Sequence, residues 1–400
     1  MMKILLNHTK TISINNSDDH RLSFMASWIV VCFFLVTTAL MLENITSVPT
    51  KTVSLFCWLT MALLFFYNAL LVIKKTSPGL ILVFFLIGLF FIINYLMFGY
   101  SDGFKYSVER FMFYVLPGCL FFCSIKRFDI LFNDLYFFSK LIVPLSLLVT
   151  IMNRNNMSLR VYSMAFAYSL LFPIIILIYE YYINKKCSSL AFVLMGILSI
   201  LLAGSRGPLL GIAFFCMSIL VKRFLVEKNV LKALLLFLVS LVLLIAHEFI
   251  LNILLELVGY FGWYSRTLSL FTNDFYHDSG RLGMYKIILD EIESNPFILH
   301  GIAGEYKLIG VYVHNIFLEL LYTFGVLFGG IIILYITYRT VTTFWRFFTC
   351  NSLHSVLSFI MFCASLPGLL VSGTFWGSIY FWVWLFLDEG NNNYVNRGGL

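Results

Sequence analysis

The sequence predicts an all-α, polytopic integral membrane protein, and three observations carry that expectation. Of 400 residues, 60% are hydrophobic and only 12% are charged, whereas soluble globules carry roughly a quarter charged residues. Apolar runs of about 20 residues recur along the chain without the alternating pattern of a membrane β-barrel, so the spans are helices. Basic residues fall unequally on alternate sides of those runs, the signature of an oriented membrane protein.

Taken in order, a polar segment, 1–23, comes first. Asp18 and Asp19 make it too acidic for a signal-peptide start, and no A-x-A-like cleavage site follows, so the first span is expected to be retained. Twelve spans are expected, at 24–42, 52–73, 79–98, 111–125, 136–152, 161–183, 189–203, 208–221, 233–256, 314–338, 355–372 and 374–387. Pro367 and Gly368 interrupt the eleventh, and the run from Phe375 to Leu387 is short enough to be partly re-entrant. The chain thus divides into a cytoplasmic N-terminal segment (1–23), transmembrane helices 1–9 (24–256), a long outer loop (257–313), helices 10–12 (314–387) and a cytoplasmic tail (388–400).

Orientation follows from the basic residues. The larger set contains the doublets Lys74-Lys75, Lys126-Arg127, Lys185-Lys186 and Lys222-Arg223, which places both termini in the cytoplasm. The net charge of +7 is mostly this orientation signal and does not point to nucleic acid. The smaller, outer set comprises Lys51, Lys105, Arg110, Arg154, Arg160, Arg206, Arg266, Arg281, Lys286 and Lys307. Eight cysteines are scattered, with no C-x-x-C pair and no cysteine–histidine cluster, so they read as small buried hydrophobes rather than metal ligands.

Two constellations carry chemistry. At the tip of an apolar hairpin, Gly204-Ser205-Arg206-Gly207-Pro208 holds an arginine that would cost roughly 2.5–3.5 kcal/mol at bilayer depth, so it belongs at an aqueous face, in an ion pair or in a polar cavity. The second opens the span after the outer loop, His314-Asn315-Ile316-Phe317-Leu318-Glu319. There Asn315 and Glu319 are four apart on one helical face, Glu319 lies more than one turn deep, and His314 sits at the rim about 100° round from Asn315. Glu319 is either a functional ionisable group or a structural one bonded to a neighbouring helix. Within the outer loop, Leu282, Tyr285, Ile288, Leu289 and Ile292 form an apolar stripe, with Ser279 as a candidate cap and Asn295-Pro296 as a stop. Gly301 and Gly304 allow either a tight turn or close backbone approach to a ligand.

Ser205-Arg206-Gly207 between two spans, Arg281 to Tyr285, Pro296 to Gly304, and His314 to Gly329 with its H-N-x-x-L-E opening occur in that order on one expected face. In this the chain resembles the O-antigen polymerase and O-antigen ligase superfamily. The resemblance covers residues 190–335 in detail and the span count elsewhere. It implies a GT-C-like membrane glycosyltransferase of the bacterial inner membrane. Such an enzyme joins undecaprenyl-diphosphate-linked oligosaccharide repeats at the periplasmic face, by inversion and without a metal or other cofactor.

Arginine suits the diphosphate because its planar fork bonds phosphate oxygens bidentately and stays charged. Arg206 and Arg281 are the leading ligands, with Arg154, Arg160 and Arg266 as second choices and Ser205 and Asn315 as further substrate contacts. His314 has an unperturbed pKa suited to a general base, with Glu319 orienting it or holding the helix. Tyr260, Trp263, Tyr264, Tyr276 and Tyr312 are candidate sugar platforms. The resemblance also implies a chain-length regulator in the membrane as partner. The H-N-x-x-L-E opening and the arginine-bearing outer loops favour polymerase over a ligase that transfers polymer to lipid A-core. A lipid-linked oligosaccharide flippase is the competing class, but flippases tend to show two related halves, and here the halves differ. A structural scaffold would leave glycan length indifferent to Arg206 and His314.

Overall fold

In a computed structural model, residues 16–43, 49–155, 163–227 and 280–387 are described, with a few positions between 252 and 260. Every element among them is helical: α1 (Asn16–Leu42), α2 (Thr50–Lys75), α3 (Pro78–Phe98), α4 (Asp102–Arg110), a π-helical turn (Phe111–Val115), α5 (Leu116–Ser124), α6 (Phe128–Asn155), α7 (Met164–Asn184), α8 (Cys187–Ala203), α9 (Gly207–Glu227), α10 (Arg281–Ser294), α11 (Glu305–Ile309), α12 (Ile316–Thr349), α13 (Leu353–Leu369), a 3-10 turn (Phe375–Gly377) and α14 (Ile379–Phe386). Seven of these, α1, α2, α3, α6, α7, α9 and α12, are long and apolar enough to cross a membrane. A 26-residue helix such as α2 is about 39 Å long, ample for a hydrocarbon core of about 30 Å.

The seven match expected spans, and α8 and α13 are shorter apolar helices where two more were expected. The expected span 233–256 lies almost wholly outside the described residues. The run expected at 374–387 is divided between the 3-10 turn and the eight residues of α14, about 12 Å of helix.

Local chemistry sets the ends. Ser77 caps α3, its hydroxyl accepting the Leu80 N–H at 3.3 Å, Pro78 occupies the first turn, and Gly99 closes the helix at φ 74°. The helix expected at 111–125 begins earlier, at Asp102, because Ser101 caps it there. Its π turn falls just before Pro117: the Leu116 N–H reaches back five residues to Phe111, widening the backbone where proline would otherwise clash with the preceding turn.

The centre is α7, α13, α14 and the inner face of α1. α7 buries 72% of its apolar window, whereas α2 and α3 bury 22%. Those two helices turn Leu63, Phe66, Leu70, Phe85 and Leu96 outward, the arrangement expected where lipid replaces water. At one end of the bundle basic side chains act as clasps. Lys75 pairs with Asp19 at 2.5 Å, Lys186 with Glu180 at 2.9 Å, and Lys222 donates to the Cys350 carbonyl at 3.1 Å. Arg339 donates to the Trp384 carbonyl at 3.0 Å, taking up an orphan acceptor of α14. These are the ends that carry the basic doublets.

At the opposite end, the outer segment 280–315 closes over the bundle. Asn94 accepts the Ile302 N–H at 2.7 Å, and Lys307 donates to the Phe98 carbonyl at 2.8 Å. The expected stripe on α10 is narrower than the spacing suggested. Ile288 and Ile292 are buried against Val313 and Tyr322, while Leu282 and Leu289 are exposed. Gly280, at φ 79°, precedes α10 without a side-chain cap, and Ser279 lies outside the described residues.

The span expected at 314–338 is a bent helix that runs on to Thr349. Gly325 breaks it with φ 69° and ψ 167°, a conformation essentially confined to glycine. The freed Val326 N–H donates to the Pro296 carbonyl at 2.7 Å. Beyond the break, Gly329 approaches Leu320 so closely that a Cβ would lie 2.6 Å from its carbonyl oxygen.

Candidate functional site

A cavity of about 170 Å³ opens at the end of the bundle covered by the outer segment. Its walls come from α4 (Tyr106, Arg110), the start of α7 (Met164, Ala165, Tyr168), Tyr312, and the stretch from Ala364 to Tyr380. No acidic residue is among them. Tyr168, Tyr312, Ser365, Ser372, Thr374, Ser378 and Tyr380 bring hydroxyl-bearing side chains to the wall, and Arg110 brings the one cation.

Arg110 is held rather than loose. Its guanidinium lies 5.1 Å from the Tyr106 ring centre and 5.5 Å from that of Tyr114, within cation–π range. Gly377 is the reason its stem fits, since a Cβ there would approach the Arg110 Cβ at 3.3 Å. Sequence reasoning counted Arg110 among the outer cations but gave it no role. The signal that could have found it is the i, i+4 spacing of Tyr106 and Arg110 at the rim end of a helix.

The hairpin tip stands against the same cavity. α8 ends at Gly204 with φ 87°, Ser205 is buried, and Gly207 packs on Tyr168 so tightly that a Cβ would lie 1.9 Å from its hydroxyl oxygen. The Ser163 N–H donates to the Ala203 carbonyl at 3.3 Å, fastening the tip to the start of α7. Arg206, half-buried, precedes Gly207 and is not itself part of the cavity wall.

His314 reaches the cavity through Tyr312, whose ring meets its imidazole edge-on at 4.3 Å. The His314 backbone is left-handed, φ 59°, and Nδ1 is buried without a hydrogen-bond partner. Burial, reinforced by the nearby Arg281 cation, pushes its pKa down to about 4. The expectation of an unperturbed, near-neutral base is thus corrected: burial beside Arg281 favours the uncharged imidazole and makes His314 a weaker base than a free histidine. The Tyr285 hydroxyl donates to the His314 carbonyl at 3.3 Å and ties α10 to this segment. Arg281 and His314, distant in the sequence, are accordingly brought together.

Asn315 is the N-cap of α12, its side-chain oxygen accepting the Phe317 and Leu318 N–H groups at 3.0 and 3.3 Å. It precedes the helix, so the shared face expected with Glu319 does not form. Glu319 is fully buried and turns to the stretch before α14, accepting the Thr374 hydroxyl and the Phe375 N–H. Orientation of His314 by Glu319 is not what these bonds provide.

A second buried acid, Glu305 on α11, stands close enough to repel a charge on Glu319. Burial pushes its carboxyl up to about 7, and its Oε2 has no hydrogen-bond partner. Gly301 and Gly304 line no part of the cavity; a Cβ would strike Asn94 in the first case and the His300 carbonyl in the second, so both serve tight turns. The Arg154 side chain and residues Arg160, Arg266, Trp263, Tyr264 and Tyr276 lie outside the described residues, and Tyr260 is exposed.

All-helical among its described residues, with seven helices fit to cross a bilayer and a hydroxyl-rich, cationic cavity at one end, the chain is an α-helical membrane protein. Comparison with protein-family models, with characterised proteins and with solved structures finds no match.

Proposed function

We propose that this protein is an O-antigen polymerase of the bacterial inner membrane, with twelve spans, a GT-C-like architecture and cytoplasmic termini. On this reading it joins undecaprenyl-diphosphate-linked oligosaccharide repeats at the periplasmic face by inverting glycosyl transfer without a metal. The observation that supports it most is convergence. The Ser205-Arg206-Gly207 tip, the start of α10 with Arg281, and the His314 segment are far apart in the sequence, yet the tip and His314 each pack on a side chain of one cavity wall, Tyr168 and Tyr312, and Arg281 stands near His314.

The chemistry asks for cations where a diphosphate leaves and for hydroxyls and rings where sugars bind. Arg110, Arg206 and Arg281 supply the first. The Tyr, Ser and Thr side chains of the cavity wall supply the second. His314, uncharged beside Arg281, gains proton affinity once an anionic diphosphate offsets that cation, so it acts as a hydrogen-bonding group on the leaving side rather than as a standing charge.

Lipopolysaccharide from a strain lacking the gene tests this directly on a gel. One repeat on the lipid A-core is expected. Loss of every repeat from the core, with polymer accumulating on the lipid carrier, would make the protein a ligase instead, and unchanged banding would remove both assignments.

A further inference from the structure

Glycosyl transfer to a hydroxyl must dispose of a proton, and burial beside Arg281 leaves His314 a weak base for it. The cavity wall presents another route. Thr374 lines the cavity, and its hydroxyl donates to Oε1 of Glu319, which is 1% exposed. The same carboxylate accepts the Phe375 N–H at 3.4 Å through Oε2. A hydroxyl with one side in a cavity and the other on a buried carboxylate can take a proton from one and deliver its own to the other.

We propose that Thr374 and Glu319 form a hydroxyl–carboxylate proton relay for the acceptor sugar, with Glu305 as the second carboxylate that sets the charge of the pair. This rests on the glycosyltransferase reading. As the acceptor oxygen bonds to the anomeric carbon, its proton passes to Thr374 Oγ1 while the Thr374 proton moves to Glu319 Oε1. The bond from the anomeric carbon to the diphosphate oxygen breaks, and its electron pair leaves on the diphosphate. Thr374 is the residue that touches substrate, and Glu319 acts through it.

Glu305 fits as the partner. It is 1% exposed, and its Oε2 has no hydrogen-bond partner. Two buried carboxylates that repel one another hold no more than one negative charge between them near neutral pH, so a charge on Glu305 opposes the one the relay needs on Glu319. The other titratable groups facing the pair are Tyr306 and Tyr322, with Tyr106 and Tyr312 beyond Tyr306. Burial raises the Tyr306 phenol further from neutrality, so it keeps its proton throughout.

The experiment follows chain extension by the purified full-length protein in liposomes, with lipid-diphosphate-linked repeats as substrate, across pH 5–9. For Thr374→Val and Glu319→Gln, kcat should fall by about a hundredfold, the scale of general acid–base catalysis, with KM little changed. Thr374→Ser should recover most of the loss, and Gln at 319 keeps the shape and an acceptor for Thr374, so misfolding does not imitate the result. In the parent protein kcat should rise with pH through a limb near neutrality. Glu305→Gln, which removes the like charge, should move that limb to lower pH. Parent protein that extends no chain at any pH would overturn the transferase reading itself. Parent protein that extends chains, with Thr374→Val and Glu319→Gln matching it in kcat and pH profile, would overturn the relay alone.

Discussion

Arg110 shows what one side chain contributes when its surroundings hold it still. An arginine on a lone helix rim has four rotatable bonds to order before it can bind anything, a loss of roughly 2 kcal/mol of side-chain entropy. Here Tyr106 and Tyr114 flank the guanidinium and Gly377 leaves room for its stem, so much of that cost is met before a ligand arrives. Charge-assisted hydrogen bonds contribute about 1.5–3 kcal/mol each. Arg110→Ala should therefore lower kcat/KM for repeat-unit transfer by about tenfold or more. Arg110→Lys should recover only part of it, because an ammonium cannot use the fork geometry and stacks less well on tyrosine. Transfer rates over a range of repeat-unit concentrations decide the matter, and an Arg110→Ala protein with unchanged kcat/KM would remove Arg110 from the anion site.

Among the elements, α12 shows how two glycines five apart do different work. Gly325 adopts φ 69°, and an added Cβ would sit 3.3 Å from the Phe297 and Ile298 carbonyl oxygens. Gly325→Ala should accordingly cost about 1–3 kcal/mol and lower the melting temperature in detergent. Gly330 is an ordinary helical position with no atom within 4 Å of a Cβ, so Gly330→Ala should be neutral or stabilise by up to about 1 kcal/mol. Equal melting temperatures for the two variants would mean that the bend is not under strain. The contrast also marks what could be read in advance. Apolar runs of bilayer length were visible because lipid demands them, and the order of the Ser-Arg-Gly tip and the His-Asn segment was visible as a pattern. The bend at Gly325 was not, because an interior glycine reads the same whether it turns the chain or merely fits it. The partner of Glu319 was hidden for a related reason: Thr374 is 55 residues away, and no local spacing reports a contact of that range. Arg110 was counted as a charge and passed over as an anion site, since Gly377, which makes room for its stem, meets it only in the folded chain.

At the scale of the whole molecule, one end of the bundle is clasped by ion pairs and capped carbonyls, while the other, beside its arginines, buries an acid and an imidazole whose uncharged forms burial favours. Glu305 and His314 are the two whose linkage to stability can be worked out, and they have opposite signs. The folded-state pKa of Glu305 is raised, from 4.5 to about 7. Folding is therefore favoured while it stays protonated, and that contribution is lost as pH rises from 4.5 through about 7, by at most roughly 3 kcal/mol. The folded-state pKa of His314 is depressed, from 6.5 to about 4. Its contribution is present above 6.5 and is lost as pH falls through about 4, because the unfolded chain takes up the proton first. Measured as the difference in melting temperature from the parent protein in detergent, Glu305→Gln should grow relatively more stable as pH rises between 4.5 and 7. His314→Gln should grow relatively more stable as pH falls between 6.5 and 4. The two difference curves should slope in opposite directions and cross. Curves that run parallel, or a flat curve for Glu305→Gln, would mean that Glu305 is ionised in the folded protein and that its surroundings are not as dry as its burial implies.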